Sequence, residues 1–148
     1  MKLTPERTAR TVVNTRIVDA SVERVFDAYD NPDKLVRWWG PKGFTMTVQE
    51  LDLRPGGHWR FVFHSPTGQD FENHLTFEKL DRPALFAVHH VGHPYDGTVT
   101  FEALGDDRTR VTMYWMFPTA EDCARVRDVV AQGNEGNLDR MTAIVTEK

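Results

Sequence analysis

His58-Trp59-Arg60-Phe61-Val62-Phe63-His64 alternates between aromatic side chains and mostly polar ones, the period of two that marks a strand with one buried face. Trp59, Phe61 and Phe63 share one side; His58, Arg60, Val62 and His64 share the other. The same period runs outward to Phe71, Leu75 and Phe77, then to Val99 and Phe101, then to Val111, Met113 and Trp115. Turn chemistry interrupts it at Pro55-Gly56-Gly57, Ser65-Pro66-Thr67-Gly68, Asp81-Arg82-Pro83, His93-Pro94 and Gly105-Asp106-Asp107, which divides residues 44–117 into six strands. A meander of this kind buries one face and wets the other.

On the N-terminal side, Val12, Val13, Ile17 and Val18 lie in a β-rich run that predicts a first strand over 8–18. Ser21 then fits a helix cap, with Val22, Val25, Phe26 and Tyr29 at helical spacing behind it. Asn31-Pro32 repeats the start signal, and Gly40-Pro41 stops a second short helix that runs to Trp38. On the C-terminal side, Thr119 followed by Asp122 reads as a capping box for a long helix reaching about Val145. Its inward stripe is expected to hold Val126, Val130, Gly133, Asn137, Met141 and Ile144, with Arg125, Arg127, Asp128, Asp139 and Arg140 in solvent. Gly133 and Gly136 each lose up to about 1 kcal/mol against alanine inside a helix, so a bend or a close backbone approach is expected there. The order strand, two short helices, six strands, long helix predicts an α+β fold: a curved antiparallel sheet of about seven strands with the terminal helix across its aromatic face.

Composition bounds the function. The 148 residues suit one domain over 1–148, and a 40% hydrophobic content supplies a core. A net charge of −4, from acids and bases mixed along the chain, gives no basic block for phosphates, so nucleic acid is not an expected partner. No apolar run approaches a membrane span or a secretion signal. A single cysteine, Cys123, allows no internal disulfide, and a cytoplasmic location is expected.

The stretches Trp38-Trp39-Gly40-Pro41-Lys42-Gly43-Phe44 and Asp52-Leu53-Arg54-Pro55-Gly56-Gly57-His58-Trp59, with Thr98-Val99-Thr100-Phe101-Glu102 and Gly133-Asn134-Glu135-Gly136-Asn137-Leu138-Asp139-Arg140-Met141, resemble the START-like, SRPBCC superfamily. Within it the chain is similar to the heat-shock-protein-90 ATPase activator homologues, in particular small bacterial single-domain members like the calicheamicin-resistance protein. The resemblance spans nearly the whole chain and is specific to the fold. It implies a helix-grip architecture with an apolar cavity between sheet and terminal helix, and binding of a small hydrophobic or amphipathic molecule. The contacts this implies are Trp59, Phe61, Phe63, Asn73, Leu75, Phe77, Phe101, Met113 and Trp115 from the sheet, and Gly133, Asn137 and Met141 from the helix. Two alternatives accompany it: a cyclase, aromatase or hydrolase acting on such a ligand, and a chaperone-binding role. The eukaryotic co-chaperones carry an additional N-terminal domain, which counts against chaperone activation here. A monomer or a homodimer is expected, with no cofactor and no metal.

The residues themselves assign no catalytic group. The two serines, Ser21 and Ser65, are placed in a cap and a turn, and no glycine-rich phosphate loop is present. Cys123 extends the inward stripe of the last helix and reads as packing. His89, His90 and His93 lack a diagnostic ligand spacing. Leu85 and Ala87 set His89 on their side, whereas Phe86 and Val88 argue for the opposite phase, so its orientation stays open. Asn73 lies between Phe71 and Leu75 on an otherwise apolar face. It and Asn137 either orient a ligand oxygen or bond to a strand end or ordered water. For an enzyme, Asn73, His89 or a neighbouring carboxylate would be the acid or base. Trp38 and Trp39 either gate the mouth of the grip or simply pack.

Overall fold

In the computed structural model, which describes residues 3–147, β1 (Thr11–Val18), β2 (Thr45–Leu51), β3 (His58–His64), β4 (Asp70–Asp81), β5 (Leu85–Val91), β6 (Asp96–Ala103) and β7 (Thr109–Met116) form one sheet. Its order is β1-β7-β6-β5-β4-β3-β2. Neighbours are antiparallel throughout, so the chain runs up and down from β2 to β7 and β1 closes the far edge against β7. Among the described residues four helices complete the fold: α1 (Pro5–Ala9), α2 (Val22–Asp30), α3 (Pro32–Leu35) and α4 (Ala120–Val145). This is the α+β helix-grip arrangement expected.

The caps form where the side chains dictate. Ser21 accepts from Arg24 N at 3.2 Å, Asn31 from Asp33 N at 3.0 Å and Thr119 from Asp122 N at 3.0 Å. Each satisfies one of the orphan donors of a helix start, an interaction worth about 1 kcal/mol. The first strand starts at Thr11, not at residue 8, because Thr4 caps a short helix whose first residue is Pro5. The second short helix ends as α3 at Leu35, and its last turns carry on through the Trp39 N bond to Leu35 O, 3.1 Å. Two glycines are required by packing. A Cβ on Gly57 would sit 2.0 Å from Asp52 O, and one on Gly40, where φ is +112°, would sit 2.5 Å from the Phe63 ring.

Register decides what covers the inner face. Phe86 and Phe101 lie under α2, where Phe26 meets Phe101 at 5.2 Å between ring centroids and Tyr29 meets Phe86 at 5.4 Å, and Phe77 packs edge-on beside Phe86 at 6.0 Å. Leu35, Val99, Val111, Met113, Leu138 and Met141 fill the rest of the core almost without exposure, and burial of such side chains contributes about 1.5–3 kcal/mol each.

The inner side of α4 differs from its expected stripe. Cys123, Asn134, Asn137, Leu138, Met141 and Val145 are buried, Val126, Val130 and Ile144 are half-buried, and Gly133 is exposed. Asn14 on β1 causes the shift: it accepts from Asn134 Nδ2 at 3.1 Å and donates to Ala131 O at 3.1 Å, drawing Asn134 inward. Arg127 and Arg140 do not simply face solvent. Arg127 donates to Thr11 O and Ala9 O, both at 3.1 Å, while Arg140 donates to Trp38 O at 3.0 Å and to Gly40 O. These bonds fasten the helix to the loops at both ends of the grip. A side chain added at Gly133 would meet nothing within 4 Å, so no close approach explains that glycine.

Candidate functional site

The aromatic face is covered at the α2 end and open at the other, where α4 stands off the sheet. The space left is a cleft of about 370 Å³. Its floor comes from Phe61 and Phe63 on β3, Asn73 and Leu75 on β4 and Trp115 on β7. Its roof comes from Val126, Val129, Val130, Gly133, Asn134 and Asn137 on α4. Trp39, Gly40 and Pro41 close one end, and Tyr95 and Phe117 lie along the wall. A groove of about 620 Å³ on the far side of α4, beside Lys42 and Arg140, shares Pro41, Val129 and Gly133 with the cleft.

Of the contacts expected from the sequence, Phe61, Phe63, Asn73, Leu75, Trp115, Gly133 and Asn137 line this space. Trp59, Phe77, Phe101, Met113 and Met141 do not, and the reason is coverage. Phe101 is sealed with Phe86 under α2, Phe77 is buried between Phe86 and Trp59, Trp59 packs between Trp39, 5.1 Å away, and Phe61, 4.9 Å away, and both methionines are wholly buried. Trp38 is also core, with its Nε1 donating to Ala28 O at 2.9 Å. Trp39 reaches the cleft. The residues that the sequence did not single out as contacts are Gly40, Pro41, Tyr95, Phe117, Val126, Val129, Val130 and Asn134, all from loops, strand ends and the α4 roof.

The polar groups differ in what they have left to offer. Asn137 Oδ1 accepts from Gly40 N and from Arg140, both at 2.9 Å, so its oxygen already fixes the Trp39-Gly40 corner against α4. Asn134 spends its amide on Asn14. Asn73 donates to Phe71 O at 3.2 Å and has its Oδ1 3.1 Å from His90 Nε2. That bond answers the open phase of β5: His90 points inward with Phe86 and Val88, while His89 faces out and pairs with Asp96 at 2.7 Å. The signal for His90 was the Phe86-Val88-His90 alternation itself.

Because Asn73 Oδ1 can only accept, His90 donates from Nε2 as the neutral tautomer. Its Nδ1, 3.0 Å from Val91 O, donates only if the ring is protonated. Burial first and the neighbouring His93 second push the imidazole down to about 4, so the neutral form prevails at neutral pH. His90 therefore orients the Asn73 amide across the floor of the cleft. Tyr95 stacks near Trp115, ring centroids 6.1 Å apart, and burial raises its phenol to about 12, which keeps it a neutral hydroxyl. No Asp, Glu, Lys or Arg lines the cleft. Among the described residues, no group of three or more His, Cys, Asp or Glu side chains converges to hold a metal ion, and no helix is long and apolar enough to cross a membrane.

Comparison with known proteins places this architecture. The family model described as activator of Hsp90 ATPase homolog 1-like protein matches residues 19–146. No curated protein matches the chain in sequence. A crystal structure of a protein from Nitrosomonas europaea superposes with a TM-score of 0.86 at 19% identity, over 96% of this chain and 97% of the other. Protein Ms6760 of Mycobacterium smegmatis gives 0.81 at 25% identity, over 99% and 97%. An AHSA1-like protein from Aeromonas hydrophila gives 0.78 at 20% identity, over 91% of each chain. These structures share the fold from end to end.

Proposed function

The chain belongs to the activator of Hsp90 ATPase homolog 1-like family, and from that premise we propose that its cleft binds one small, predominantly apolar molecule. The observation that carries this reading is the wall itself: six aromatic side chains, Trp39, Phe61, Phe63, Tyr95, Trp115 and Phe117, valines above them, and no charged side chain. Its volume of about 370 Å³ lies within the range of about 300–1,000 Å³ common for small-molecule sites. Apolar walls of this kind gain from contact with an apolar body, while a few fixed polar groups set its orientation.

Asn73 is the group best placed for that second task, because His90 holds its amide and its partly exposed side chain borders the cleft. The Tyr95 hydroxyl supplies a neutral donor farther along the wall. A bound molecule thus meets aromatic faces over most of its surface and one or two hydrogen-bonding groups at an edge.

Thermal unfolding against a panel of neutral lipids and polyketide-like ring compounds tests the proposal. A ligand of the native state stabilises it with the logarithm of its concentration, by about 2.7 kcal/mol when present at 100 times its Kd, and so raises the midpoint. A dose-dependent rise with at least one apolar compound is expected, and a panel that leaves the midpoint unmoved at its solubility limit defeats the reading.

A further inference from the structure

On the face of the sheet turned away from α4, β3 and β4 bring two histidines together. His58 stands opposite Thr76 and His74 opposite Arg60, which makes the two rings diagonal neighbours. His58 Nδ1 lies 2.8 Å from His74 Nε2, with ring centroids 5.0 Å apart and both residues half-buried. One of these nitrogens carries a hydrogen and the other a lone pair. The other outward histidines are committed to oxygen partners: His64 to Thr47 and Asp70, His89 to Asp96.

We propose that His58 and His74 form a two-histidine site for a divalent transition metal, Cu(II) in preference to Ni(II) and Zn(II), bound through His58 Nδ1 and His74 Nε2 with water in the remaining positions. Imidazole nitrogen suits all three ions, and copper heads the affinity order. Geometry favours the same ion. With metal–nitrogen bonds of about 2.0 Å, adjacent ligands of a square plane stand about 2.8 Å apart, and ligands of a tetrahedron about 3.3 Å. The nitrogens already have the square-planar separation. The metal sits off the line joining them, so both rings turn on entry, a motion their partial exposure permits. On binding, the hydrogen between the rings moves through solvent to the other nitrogen of its own imidazole, so both ligating nitrogens offer a lone pair and each ring stays neutral.

Local charge is compatible with this. Arg60 lies directly across from His74, but Glu50 holds its guanidinium at 3.2 Å and offsets the positive charge. The site is separate from the cleft, since His58 and His74 face away from the side that carries Trp59, Phe61 and Leu75.

Titration of the full chain with Cu(II) chloride, read by electron paramagnetic resonance, tests the assignment. The expected spectrum is a single one-to-one tetragonal species with two nitrogen donors, and its affinity falls roughly tenfold or more in H58Q and in H74Q while H89Q retains it. An unchanged affinity in either H58Q or H74Q, or no copper species with two nitrogen donors in the unaltered protein, overturns it. Both substitutions lie on the outer face of the sheet, and either one alone is decisive.

Discussion

His90 Nε2 lies 3.1 Å from Asn73 Oδ1, a bond that joins β5 to β4 where the packed core gives way to the cleft. Its histidine is nearly free of solvent exposure, and its asparagine borders the cleft. The bond gives the apolar floor a fixed amide, and it gives the fold a titratable weak point.

That weak point predicts a pH dependence. In the folded chain His90 titrates at about 4, below its ordinary 6.5. Between those values the unfolded chain binds a proton that the native chain does not, so His90 contributes a loss of stability as pH falls from 6.5 toward 4 and no further loss below that. Urea midpoints measured from pH 8 to pH 4 should therefore fall more steeply in the unaltered protein than in H90Q. Parallel curves contradict the assignment.

Gly133 predicts a trade between stability and binding. Nothing lies within 4 Å of a Cβ built there, yet the residue lines the cleft. Gly133→Ala should stabilise α4 by up to about 1 kcal/mol, seen as a higher thermal midpoint. Gly133→Leu should fold as well and lose the midpoint rise given by an apolar ligand, because its side chain occupies the roof.

Asn137 predicts a penalty that its place on the helix would not suggest. Removing Oδ1 in Asn137→Ala leaves the buried Gly40 N–H without its partner, which costs about 1–3 kcal/mol. Denaturant unfolding should show this loss, and ligand affinity should fall with it, since the Trp39-Gly40 corner is no longer tied to α4. A variant of unchanged stability contradicts the role given to the bond.

Gly40→Ala meets two obstacles at once, a left-handed φ of +112° and the Phe63 ring 2.5 Å from the new Cβ. Strain of this kind costs about 1–3 kcal/mol. The expected outcome is a lower unfolding midpoint together with a changed Phe63 aromatic signal by NMR.

The strand period of residues 58–64 and the capping residues Ser21, Asn31 and Thr119 carried enough local information to place the sheet and the helices. Three features escaped it for physical reasons. Periodicity assigns a side chain to a face but not to a position along the strand, so Phe101, roofed by α2, and Phe77, buried against Phe86, looked equivalent to Phe61 and Trp115, which line the cleft. The stripe of α4 holds at Asn137 and Met141, but Asn134 takes the inward place expected of Gly133, because it is buried by a partner 120 positions away, Asn14. The inward turn of His90 rested on a choice between two phases of β5, both apolar enough to compete, and only pairing with β4 decides it.

The central claim is that the aromatic cleft, and not another surface, takes an apolar ligand. Four indole N–H signals report on it in one nitrogen-15 NMR titration with a compound that raises the thermal midpoint. The account predicts that the Trp39 and Trp115 indoles shift to saturation while that of Trp38, buried and bonded to Ala28 O, stays in place. Saturation with Trp39 and Trp115 unmoved would contradict it.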